Sequence, residues 1–236
     1  MGKLAAMDIN NKTIFVIGGS GVLGQEMARQ LLSKGAHVVA SARSETSLNR
    51  IPSGVESTCI LDLSQSESIT SAAQHIATTS PAIDAIVNCS GLVGFGTIAE
   101  TSASDAVQLM QVNHLGPAHL ITLLLPQLLQ ACEAHGEAMV VGITGVVAER
   151  SFPGLAAYGE SKLAASRHLA ALAQEFRRVK LKTLDARPGH TETGLASRPL
   201  FGIAPQFPTG MSPEHVVGKI IEAIELSKTE LASTDF

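Results

Sequence analysis

The chain has no tryptophan, one tyrosine and seven phenylalanines among 236 residues. Its core must therefore be built from aliphatic side chains, and apolar residues make up 45% of the chain. Charge is also sparse, at 16%, and the formal net charge of −4 excludes the basic surface that nucleic-acid binding requires. The three cysteines, Cys59, Cys89 and Cys132, are odd in number and widely spaced. They indicate neither a disulfide framework nor a metal site, and they suit a reducing compartment. Long apolar runs are missing as well. The most apolar stretch, Leu120 to Leu129, is too short to cross a bilayer and is broken by Pro126. Met1 to Ala6 has too little apolar length for a secretory signal. A cytoplasmic location without a membrane or nucleic-acid partner is the expectation.

Short aliphatic runs alternate with longer helical patterns. Strands are expected at Thr13–Ile17, His37–Ser41, Thr58–Leu61, Ala85–Asn88, Ala138–Ile143 and Lys182–Ala186. Most are nearly continuous in apolar residues, as parallel strands covered on both faces must be. Ser64 and Glu67 have capping-box spacing ahead of a helix ending near Thr78. Ser102 with Asp105 opens another helix, and Ser212-Pro213 starts the last, near Pro213–Leu226. Such alternation predicts a Rossmann-type α/β fold, a doubly wound parallel sheet in one domain spanning residues 1–236. Residues 190–211 form one long irregular segment, the length and composition of a substrate lid.

The turn after the first strand reads Gly18-Gly19-Ser20-Gly21-Val22-Leu23-Gly24 and leads into a helix. Glycines there permit a tight turn and close approach of backbone to a phosphate, which free amides and the helix dipole attract. Ala42-Arg43 stands at the end of the second strand, where a carboxylate would bind a ribose 2′-hydroxyl and an arginine a 2′-phosphate. The arginine favours NADP, with NAD left possible. Tyr158 precedes Lys162 by four residues, one helical turn, so both project from one face. A nearby ammonium favours the phenolate and lowers the phenol pKa, which fits the pair for proton transfer. The other account of this spacing is a core tyrosine beside a surface lysine.

Six motifs in order give the chain its resemblance to the short-chain dehydrogenase/reductase family. They are the Gly18–Gly24 loop, Asp62-Leu63, Asn88-Cys89-Ser90-Gly91, Val112-Asn113 with Gly116, Tyr158 with Lys162, and Pro188-Gly189-His190-Thr191-Glu192-Thr193. The resemblance implies a carbonyl–alcohol oxidoreductase in which Tyr158 is the general acid or base. Lys162 lowers its pKa and bonds the nicotinamide ribose, and Asn113 holds a relay water. Asp62 and Leu63 would contact the adenine, Asn88 would steady the fourth strand, and Ser90 and Gly91 would approach the adenosine ribose. Pro188, Gly189, Thr191 and Thr193 would lie at the nicotinamide carboxamide and phosphates. A small-molecule substrate and a homodimer or homotetramer are implied too.

Three departures stand out. The glycines follow a Gly-x-x-Gly-x-x-Gly spacing, with Ile17 and Val22 at positions usually Thr and Gly. Gly145 occupies the place of the family's catalytic serine, thirteen residues before Tyr158. Thr144, Ser151 or a substrate group are the candidates to replace its hydroxyl. Little glycine-rich sequence follows the last helix, so a seventh strand is doubtful. These departures leave a dinucleotide-binding sensor or scaffold as the second hypothesis, and an epimerase or isomerase as a weaker third. His114 and His190 neighbour the motifs and could transfer protons. Cys89 reads equally as a small buried hydrophobe. Phe152, Phe201 and Phe207 line either the substrate pocket and lid or the plain core.

Overall fold

The computed structural model describes residues 7–236; the run Met1 to Ala6, on which the absence of a signal was argued, lies outside them. Seven parallel strands form one sheet in the order β3-β2-β1-β4-β5-β6-β7. They are β1 (Thr13–Ile17), β2 (His37–Ala42), β3 (Ser57–Ile60), β4 (Ala85–Asn88), β5 (Ala138–Ile143), β6 (Leu181–Ala186) and β7 (Glu230–Leu231). The helices are α1 (Val22–Ser33), α2 (Glu45–Leu48), α3 (Ser66–Thr79), α4 (Ala103–Met110), α5 (Gly116–Leu123), α6 (Leu125–His135), α7 (Ala156–Glu175) and α8 (Pro213–Glu225). A π turn at Gln111–Leu115 joins α4 to α5.

Strand alternation divides the core in two. Ile14 and Val16 of β1 pack with Val38, Val87 and Val141 against Met27 and Leu31 of α1 and Val216 and Ile220 of α8. Phe15 and Ile17 face the other way, with Val39, Ile86 and Val140, against Ile69 and Ile76 of α3, Leu120 of α5 and Leu169 of α7. A strand buried on both faces has no polar side, which explains the unbroken apolar runs. No single described helix is long and apolar enough to cross a membrane. The apolar run around Leu120 is consumed by this second core, to which Leu120, Leu124 and Leu128 all belong.

The doubtful seventh strand exists but is two residues long, with Leu231 buried in the first core and paired with Ala186. Ser102 and Ser212 cap α4 and α8 as expected, accepting from the amides of Asp105 and His215. The proposed cap at Ser64 does not form. The Ser64 hydroxyl donates to Asp62 Oδ1 at 2.7 Å, and α3 begins after Gln65 with no side-chain cap. Ser64 lies one position ahead of the N-cap, and its amide and hydroxyl both donate to Asp62 Oδ1, so an Asx turn stands in place of the box.

Strand order reverses between β1 and β4, so the carboxyl ends of these two strands open a crevice. The motif residues gather there.

Candidate active site

The glycine turn is tied down by its own atoms. The Gly18 amide donates to buried Ser41 Oγ of β2 at 3.1 Å, and the Gly21 amide to the Gly18 carbonyl at 3.0 Å. Gly18 has φ +76°, and a Cβ on Gly24 would lie 2.1 Å from the Gly18 oxygen. The turn therefore folds back onto the first turn of α1 so closely that no side chain fits. Gly21 caps α1 without a side-chain bond, and the first turn holds no acidic residue. Its amides and the positive end of the dipole are left for an anion.

Ser90 and Gly91 continue this wall. A Cβ on Gly18 would meet Ser90 Cα at 3.2 Å. Asn88 Oδ1 accepts from the Ser90 amide at 3.0 Å and from its hydroxyl at 2.5 Å, which turns the chain sharply past β4. A Cβ on Gly91 would in turn meet Lys162 Nζ at 3.4 Å and Asn113 Oδ1 at 3.7 Å. Four motifs distant in sequence thus meet in one chain of contacts across β1, β4 and β5.

Lys162 is buried on the second turn of α7, with Nζ donating to the Ile143 carbonyl at 2.8 Å and lying 6.0 Å from the Tyr158 ring centre. Burial lowers its pKa to about 8, against the raising influences of Asp185 and Cys89. Burial also pushes the Tyr158 phenol up to about 12. The expected lowering of the phenol by Lys162 is therefore not seen. The ammonium is aimed at a backbone carbonyl rather than at the ring, and removal from water dominates both groups. Burial pushes the Cys89 thiol up to about 12, so it stays protonated and apolar in behaviour.

Asn113 is buried in the π turn, a bulge type that recurs at functional sites. Its Nδ2 donates to the Leu92 carbonyl and to Ser161 Oγ, each at 2.9 Å, while Oδ1 accepts from the Leu92 amide at 2.8 Å. Both amide hydrogens are committed, which leaves only one acceptor site on Oδ1 for a water. Ser161 Oγ also donates to the Tyr158 carbonyl at 2.7 Å, so Asn113 ties the loop after β4 to the turn carrying Tyr158. Ser161 was missed in the sequence because nothing but position inside the Tyr–Lys turn marks it.

The replacement hydroxyl expected of Thr144 is not on offer. Thr144 is buried, and its hydroxyl donates to Asp185 Oδ1. Asp185 of β6 also accepts from Ser166 Oγ at 2.7 Å through Oδ2. Ser151 is exposed. Gly145 itself has φ +77° and ψ 166°, a conformation outside the reach of ordinary L residues. A Cβ there has room, since its nearest neighbour is the Pro188 oxygen at 3.5 Å. The missing serine is thus a conformational departure as well as a chemical one. An aspartate between Leu184 and Ala186 near the end of a buried strand was the signal for Asp185.

Of the remaining residues, Asp62 holds its own turn and donates its amide to Ser68 Oγ, while the buried Leu63 offers its carbonyl to Gln111 Nε2 at 3.0 Å. Arg43 is exposed just past β2 and makes no ion pair with another described residue. The segment from Pro188 closes on itself. Thr191 bridges Met211 in parallel, the Thr191 hydroxyl donates to the Gly189 carbonyl, and the Leu195 amide to Thr193 Oγ1. Phe201 presses on Gly94, where a Cβ would come within 2.2 Å of its ring, and Phe207 stacks on His190 at 4.7 Å. Phe152 lies under Arg150 instead. His114 packs edge-on against His168 at 5.7 Å, and burial lowers both imidazoles.

The sequence profile of the short chain dehydrogenase family matches residues 12–199. An uncharacterized oxidoreductase, YbbO of Escherichia coli strain K12, is 30% identical over 234 residues, covering 94% of this chain and 85% of YbbO. A short chain dehydrogenase of Burkholderia cenocepacia, solved in complex with NADP, superposes with TM-score 0.81 at 22% identity over 96% of this chain and 89% of its own. One from Burkholderia phymatum, solved in complex with NAD, gives 0.82 at 20% identity over 96% and 90%.

Proposed function

The chain belongs to the short-chain dehydrogenase family, and on that footing we propose that it is an NADP-dependent oxidoreductase interconverting a carbonyl and a secondary alcohol. The observation that carries this is the contact chain Gly18–Ser90–Gly91–Lys162–Asn113, with Tyr158 one helical turn from Lys162. A nicotinamide cofactor fits the residues present, because the collapsed Gly18–Gly24 turn and the uncapped start of α1 leave backbone amides where a pyrophosphate is held. Ser20, Gly21 and Leu23 would hold it there, Ser90 and Gly91 would flank its ribose, and Arg43 would meet a 2′-phosphate. When bound, the nicotinamide supplies or accepts the hydride.

The chain's own residues manage the proton. In reduction the Tyr158 hydroxyl donates to the substrate oxygen, and in oxidation it takes the proton back. Lys162 stabilises the phenolate that results, which its ammonium can do best inside a cleft shielded from water. Asn113 holds the wall that keeps Lys162 and Tyr158 in register and accepts the relay water on Oδ1. Residues 190–211 act as the substrate lid of a single domain, with Phe201 and Phe207 favouring an apolar substrate. Exposed Val107, Leu115 and Leu163 on α4, the π turn and α7 favour a homo-oligomer, and three free cysteines favour the cytoplasm.

The second reading, a dinucleotide-binding sensor, is favoured by Gly145 and by the commitment of Thr144 to Asp185. Titrating NADPH and NADH by their own fluorescence, then following NADPH consumption over a carbonyl panel, separates the two. Binding without consumption by any carbonyl supports the sensor, and preference for NADH overturns the cofactor assignment. Tyr158→Phe is expected to bind NADPH and lose turnover by a factor on the order of 10² or more. Wild-type turnover in that variant ends the mechanism.

A further inference from the structure

Asp185 places a carboxylate on the second-core side of β6, beside the site. Its side chain is 13% exposed. Residue 185 pairs in register with Gly142 of β5, and a Cβ on Gly142 would lie 2.6 Å from Leu169 of α7. Both positions therefore face α7, and Gly142 lets that helix lie close. Through Oδ1 the carboxylate receives Thr144, the residue after Ile143, and through Oδ2 it receives Ser166, one turn beyond Lys162. Lys162 Nζ spans the same two elements, donating from α7 to the Ile143 carbonyl of β5. Two bridges thus join β5 to α7 side by side, one neutral at its ends and one charged.

We propose that Asp185 is the positioning residue of this site, clamping the end of β5 to α7 through Thr144 and Ser166 and facing the Lys162 ammonium with a negative charge. An amide could bridge two hydroxyls without the penalty of a buried charge. What only a carboxylate adds is an influence on Lys162, where it is the foremost of the effects opposing desolvation. The groups around Lys162 are Tyr158 on its own helix, Cys89 after β4 and Asp185 on β6. Asp185 has a further neighbour in Arg187, whose Nε lies 3.8 Å away but whose guanidinium is engaged by Glu149 at 3.5 Å and Glu230 at 2.7 Å. The carboxylate is thus only partly neutralised by arginine and remains available to the lysine.

The inference rests on Lys162 belonging to the reacting site, so its test reads the lysine directly. In protein labelled with 13C at lysine Cε, the Lys162 signal is assigned by its loss in Lys162→Met, and its chemical shift is followed against pH. The wild-type midpoint is expected near 8, below that of exposed lysines. In Asp185→Asn it falls by about one unit or more, as loss of a nearby opposite charge requires. Asp185→Glu stays close to wild type. Asp185→Ser, which leaves no amide among the hydroxyls, serves if the asparagine variant does not fold. A midpoint unmoved in a folded charge-deleted variant overturns the proposal, because a purely structural clamp changes melting and not the lysine. If NADPH binds and Tyr158 is essential while the midpoint ignores Asp185, the proposal for Asp185 fails and the oxidoreductase reading stands. If the midpoint follows Asp185 in a chain that binds no nucleotide, the oxidoreductase reading fails instead.

Discussion

Restoring the family's serine is the perturbation that most directly probes this site, and the structure predicts that it does harm. Gly145→Ser places an L residue at φ +77° and ψ 166°. That region is close to glycine-only and costs about 1–3 kcal/mol. Relaxation to an ordinary conformation is opposed on both sides. The Gly145 and Val146 amides donate to the Ala186 and Pro188 carbonyls at 3.3 and 2.9 Å, and the Ala148 amide to the Gly145 carbonyl at 3.0 Å. Crowding adds little, since the nearest atom to a new Cβ is 3.5 Å away. For a domain of this size about 2 kcal/mol lowers Tm by about 4–8 °C. Gly145→Ala carries the same backbone strain without the hydroxyl, so thermal melts of both variants should fall together. The serine variant should also show no faster NADPH-linked turnover than wild type, because its backbone aims the hydroxyl differently. A serine variant that melts with wild type and turns over 10²-fold faster, the gain expected of a correctly placed donor, refutes the argument.

Other outcomes follow from the same geometry. Gly24→Ala, ordinarily stabilising in a helix by about 1 kcal/mol, should here lower Tm and weaken NADPH at least tenfold in a fluorescence titration, since its Cβ would sit 2.1 Å from the Gly18 oxygen. Lys162→Met should abolish turnover yet raise Tm at pH 7. The folded lysine, at about 8, lies below its unfolded value, so wild type is penalised while both states are charged and recovers as pH rises from about 8 towards 10.5. The gain in the methionine variant should shrink over that window, and a gain that grows with pH contradicts the assignment.

Much of the architecture was legible because a parallel sheet covered on both faces needs aliphatic strands, and six of them stand out in this aromatic-poor chain within a residue of their observed ends. Strand β7 was not, because two residues give no periodicity and its one buried side chain, Leu231, is secured by neighbours rather than by pattern. The Ser64 cap misled for a related reason: the motif was present, but an Asx turn at Asp62 holds Ser64 one position ahead of the helix start.

Local sequence by itself determined which residue types are available to this protein: a glycine turn entering a helix, a phenol one turn from an amine, and a glycine where the family resemblance leads one to expect a hydroxyl. Spacing along one helix is a short-range property, so Tyr158 and Lys162 needed no fold to be read. Only tertiary structure decided what those groups experience. Burial sets Lys162 and Tyr158 apart in opposite directions, Asp185 claims Thr144, and Phe201 fills the notch at Gly94. Each of these joins residues far apart in the chain, and desolvation and contact depend on what surrounds a group in space, which no local pattern encodes.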